Sequence, residues 1–94
     1  MKIINTSCLH KFWEQYPETK ESLKTWVCTV SYQSWNDMSD VIKTFPKAEA
    51  SVKTGINFPF LKGQFYLRAD LHYQAKVLTI RNLGSLNKTD STIN

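Results

Sequence analysis

Glycine and cysteine are scarce in this chain: three Gly and two Cys among 94 residues. Gly55, Gly63 and Gly84 stand far apart, which excludes a Gly-rich loop wrapped around a phosphate. Cys8 and Cys28 are 20 residues apart, with no CxxC pair and no clustered His. That spacing excludes a zinc site and a disulfide scaffold, and two buried or half-buried thiols are expected. Paired carboxylates, a Ser/His/Asp order and an HExxH segment are also missing, so neither metal nor cofactor is expected. No stretch approaches the roughly 18 apolar residues of a membrane helix. Met1-Lys2-Ile3-Ile4-Asn5 lacks the apolar core of a signal peptide. A cytoplasmic protein without membrane contact is the expectation.

Large apolar side chains are plentiful. Three Trp, four Tyr and five Phe accompany a hydrophobic share of 41% and a charged share of 21%. A disordered chain shows the opposite balance. A domain this short buries only about 60% of its unfolded surface, so bulky residues must supply its core. One domain spanning residues 1–94 is expected. Its charge is uneven: residues 1–52 carry six Lys and six acidic residues, summing to zero. Residues 53–94 carry four Lys, both Arg and two acidic residues, Asp70 and Asp90, which account for the net +4. A cationic half suits a polyanionic partner, although a charge of this size also serves solubility.

Periodicity divides the chain in the same way. Leu9, Phe12, Trp13 and Tyr16 follow one helix face, with Thr6 or Ser7 as cap. Pro17 ends that helix and fits the first turn of the next, where Glu18 and Glu21 complement the dipole. Leu23, Trp26, Val27 and Val30 repeat the pattern, and Met38, Val41, Ile42 and Phe45 repeat it before Pro46. The period then changes to two. Ile56, Phe58 and Phe60 mark a strand, with Pro59 placing it at an edge or bulge. Phe65 to Tyr73 alternates one apolar face with a polar face of Tyr66, Arg68, Asp70 and His72. Val77 to Arg81 is the third strand of a meander, and Met1 to Asn5 supplies a fourth. Residues 83–94 are polar and read as a frayed tail. The fold class is α+β: two to three amphipathic helices on one face of a small, mostly antiparallel sheet.

Only the polar strand face offers chemistry. Cleaving RNA requires a proton taken from a 2′-hydroxyl, charge stabilised at phosphorus and a proton returned to the 5′-oxygen. His72 and Tyr66 are the candidates for moving protons, and Arg68 and Arg81 for holding the phosphate. Lys53, Lys62 and Lys76 flank them in loops as RNA contacts. Each has a plainer alternative: His72 as a surface residue, Arg68 with Asp70 as an exposed ion pair, Arg81 as a solvated charge. His10 reads as surface, and the three Trp as core.

The first half resembles a known family. Ile3-Ile4-Asn5 followed by Leu9-x-x-Phe12-Trp13-x-x-Tyr16-Pro17 resembles HigB toxins of the RelE/HigB class. The resemblance continues through Leu23-x-x-Trp26, Trp35, Asp40-Val41-Ile42-Lys43 and Phe45-Pro46-x-Ala48, covering about residues 1–52. It implies a RelE-like fold and the toxin of a type II toxin–antitoxin pair. Such a toxin is a ribosome-associated mRNA endonuclease, restrained by a HigA-type helix-turn-helix antitoxin.

The second half departs from that family. Phe58-Pro59-Phe60-Leu61-Lys62-Gly63-Gln64 replaces the family's Phe-Asn-x-x-Gly-Asn turn. Aligned through Asp70-Leu71-His72-Tyr73, the family arginine falls on Tyr66, with Arg68 two residues later on the same strand face. In the closing motif, Ser85 and Asp90 fit, but Leu86 takes the histidine position and Thr89 the tyrosine position. Neither side chain moves protons near neutral pH. The expected function is a HigB-like mRNA interferase, and the alternative is an eroded relative that binds RNA or antitoxin without cutting.

Overall fold

The computed structural model describes residues 1–51 and 55–86. Within them, β1 (Lys2–Ile4) leads into α1 (Ser7–Gln15), α2 (Lys20–Ser31) and α3 (Met38–Thr44). Then come β2 (Glu49–Ser51), β3 (Gly55–Phe60), β4 (Phe65–His72) and β5 (Val77–Ser85). The domain is α+β, with the five strands in the order β1-β5-β4-β3-β2. The sheet is larger than the sequence pattern suggests, and it is mixed. β1 pairs with β5 in parallel, and the short, fully exposed β2 adds an unexpected edge beside β3. Three exposed residues, Glu49-Ala50-Ser51, carry no alternation to reveal them.

Helix boundaries follow local chemistry. Thr6 occupies the cap of α1, but its side chain makes no capping bond; the chain enters instead through a backbone bond from Leu9 N–H to Thr6 C=O at 3.0 Å. Pro17 belongs to a separate 3-10 turn, Pro17–Thr19, rather than to α2 itself. Thr19 is wholly buried and donates its hydroxyl to the Tyr16 carbonyl at 2.7 Å, so it needs no solvent. Asp37 caps α3 by accepting from the Asp40 amide at 3.1 Å. Asp40 in turn accepts from the Asn36 amide at 2.9 Å.

The helices lie on the sheet face that carries Ile56, Phe58, Leu67, Ala69, Leu78 and Ile80. These strand residues form one cluster with Leu9, Leu23, Trp26, Val30, Trp35 and Val41. Phe58 is its aromatic hub: Trp26 and Phe45 meet it edge-on with ring centroids 5.5 and 5.4 Å away, and Trp35 stacks at 6.5 Å. The Trp35 indole N–H donates to Thr44 at 3.1 Å, which ties the 34–37 break to the end of α3. Cys8 is half-buried, and burial raises its thiol pKa; Cys28 is exposed on the outer side of α2, outside the expected burial. Among the described residues no helix is long and apolar enough to cross a membrane.

β5 extends to Ser85, so residues 83–85 are strand rather than frayed tail. Its pairing with β4 shifts register between Arg68 and Ala69: Arg68 faces Asn82, whereas Ala69 faces Ile80. Arg81 is therefore the extra residue of a β-bulge. The bulge returns Leu83 to the helix-covered side, opposite Leu67. The remainder of the tail, residues 87–94, lies outside the described residues.

Replacing Asp37 with Ala removes the α3 cap. We expect about 1 kcal/mol lower unfolding free energy, read as a lower denaturant midpoint at unchanged slope.

Candidate functional site

The sheet face opposite the helices is laid out by β4. Tyr66, Arg68, Asp70 and His72 alternate with the buried Phe65, Leu67 and Ala69. Across the strands, Arg68 pairs with Asn57 on β3 and Asn82 on β5, while Tyr66 pairs with Pro59 and Gly84. Pro59 lies past the end of β2, where its missing N–H interrupts no described ladder.

Two residues of this face, Tyr66 and Arg68, form a stack. The Arg68 guanidinium carbon lies 4.4 Å from the centre of the Tyr66 ring, within the range of a cation–π contact. Tyr66 lies across Gly84, where a Cβ would run into the phenol ring and hydroxyl. Glycine is thus the residue that lets the ring lie flat on β5. Arg68 Nε and Asn57 Oδ1 are both enclosed and have no hydrogen-bond partner among the described residues. The site thus holds a cation stacked on a phenol ring, with an unpaired donor and an unpaired acceptor enclosed in the same cross-strand row.

Arg81 reaches Asp70, with Nη1 3.6 Å from Oδ1 and both side chains 45% exposed. At that exposure the pair contributes little stability. Asp70 thus pairs with Arg81, rather than with Arg68 as the plain reading of β4 suggests. His72 is exposed at the far end of β4. It is six residues from Tyr66, which amounts to about 20 Å at roughly 3.3 Å per residue, and about 13 Å from Arg68. The two proton-transfer candidates therefore do not share a phosphate. His10 is exposed, edge-on to Trp13 at 4.5 Å.

The lysines separate into different roles. Lys62 is exposed in the β3–β4 turn with a left-handed backbone, φ 59°. The Lys76 ammonium donates to Ser34 C=O, Trp35 C=O and Asn36 Oδ1 at 3.4, 2.9 and 2.7 Å. It pins the loop that carries Trp35. Lys53 lies outside the described residues. Asn57, Asn82 and Gly84 went unrecognised in the sequence: asparagine is ordinary in loops, and only the bulge places Asn82 beside Arg68.

A scan against family models and a search of curated proteins find no match to this chain.

Two substitutions separate site from scaffold. Lys76→Met should lower stability by about 1–2 kcal/mol, through loss of hydrogen bonds from a partly exposed charged donor, and leave RNA affinity unchanged. Gly84→Ala should move the Tyr66 ring off β5, shifting its ring proton resonances, while the melting temperature changes by only a few degrees.

Proposed function

We propose that this chain is a HigB-like relative of the RelE class that binds single-stranded RNA through the outer sheet face without cutting it. The natural ligand on this reading is mRNA presented on the ribosome. The observation that carries the reading is the Arg68–Tyr66 stack, flanked by Asn57 and Asn82 on an otherwise open sheet. Arg68 covers one side of the Tyr66 ring and Gly84 the other, so a base of any identity stacks on the guanidinium plane, or on the ring once the guanidinium turns to its phosphate. Support for the RelE-like assignment comes from the residue pattern over 1–52, the N-terminal strand and the helices confined to one sheet face. A HigA-type helix-turn-helix antitoxin as partner and a cytoplasmic setting belong to the same proposal and rest on that pattern.

The separation of His72 from Tyr66 favours binding over cleavage, since acid and base must meet one phosphate. The interferase reading retains one observation in its favour. The Tyr66 phenol, a proton donor, is adjacent to Arg68, a phosphate ligand. In that enzyme Arg68 and Tyr66 act together and His72 takes no part.

Binding of a labelled single-stranded RNA, measured alongside mRNA integrity after induction in a host lacking the antitoxin, tests the proposal. Tyr66→Ala should weaken binding by about 1–3 kcal/mol, roughly five- to 150-fold. Arg68→Ala should also lower the salt slope by about 0.7, and induced cells should keep intact mRNA. Unchanged binding in the double variant would refute the face assignment. Cleaved mRNA that becomes intact with Tyr66→Phe would establish the enzyme instead.

A further inference from the structure

The same sheet face continues into a groove beside the stack. It is lined by Asn57, Pro59 and Phe60 of β3, by the 46–49 segment, and by Lys62, Gly63 and Leu86. The space measures about 860 Å³, within the roughly 300–1,000 Å³ typical of small-ligand pockets. We propose that this groove is a second nucleotide subsite, taking the residue adjacent to the one stacked on Tyr66. The inference rests on the RNA-binding reading above and extends it to sites that reading leaves unused.

Two observations carry it. First, the groove is continuous with the stack, because Asn57 is the cross-strand partner of Arg68 and Pro59 that of Tyr66. Neighbouring strands are about 4.8 Å apart, so a nucleotide leaving Tyr66 toward β3 enters the groove directly. Second, the lining matches a nucleotide's two halves. Pro46, Pro59 and Leu86 offer apolar surface to a base, and Leu86 is 51% exposed. Lys47 and Lys62, both exposed, line it and carry ammonium groups for the phosphates. Glu49 also lines it and reduces the local charge from two to one, which favours a nucleotide over a bare multivalent anion.

The groove makes affinity depend on RNA length. A single nucleotide engages the Tyr66 stack alone, whereas a hexanucleotide spans the stack and the groove. The test uses a fluorescein-labelled ribonucleotide and a fluorescein-labelled hexaribonucleotide with the full chain, titrated at several salt concentrations. The variant is Lys47→Gln with Lys62→Asn. Asparagine is chosen because it tolerates the left-handed backbone at position 62. Unchanged circular dichroism confirms folding. We expect the variant to bind the hexanucleotide several-fold more weakly, with its salt slope reduced by about 1.4, and the single nucleotide nearly as before. Leu86→Ser, which adds no charge, should weaken the hexanucleotide at an unchanged salt slope. A hexanucleotide slope and affinity unaltered by the lysine changes, with Tyr66→Ala still weakening both probes, would overturn the groove alone. RNA binding insensitive to Tyr66→Ala would overturn the groove and the face assignment together.

Discussion

One extra residue in β5 sets the two faces of this sheet. Leu78 and Ile80 face the helices opposite Leu71 and Ala69. Strict alternation from there would send Asn82 and Gly84 inward and Leu83 to solvent. The bulge at Arg81 reverses that, so Leu83 joins the core side while Asn82 and Gly84 lie beside Arg68 and Tyr66. A single register step thus supplies both a continuous apolar layer and the glycine over which Tyr66 lies.

The outer face then carries polar groups that the fold leaves unused. An enclosed donor or acceptor without a partner costs about 1–3 kcal/mol, and here Arg68 Nε and Asn57 Oδ1 are two such atoms in one row. The cation–π contact offsets part of that cost by about 0.5–1 kcal/mol. Lys76 shows the opposite use of a cation: its ammonium is held by three loop oxygens and organises the core around Trp35. Basic residues of similar standing in the sequence therefore separate into scaffold and surface only once their partners are known.

The helical half was legible because its apolar residues recur with one period and its stops are explicit. Leu9, Leu23, Trp26, Val30 and Val41 are all buried. β4 was legible for the same reason, at a period of two. β2 was not, because all three of its residues face solvent. The end of β5 was hidden by the bulge, which breaks the alternation just where Arg81-Asn82 makes the chain look like a polar tail. Of the candidate site, Arg68 and Tyr66 could be read from β4 alone. Their neighbours Asn57, Asn82 and Gly84 depend on strand register, which no local pattern encodes.

The central claim is that the outer face around the stack, and not the helical side, meets RNA. Titration of a short single-stranded RNA into 15N-labelled protein at low salt tests it most directly. The account predicts amide shift changes concentrated at Asn57, Tyr66, Arg68, Asn82 and Gly84, with α1 and α2 unmoved. Changes centred on α1 or α2, or confined to the His72 end of β4, would contradict it.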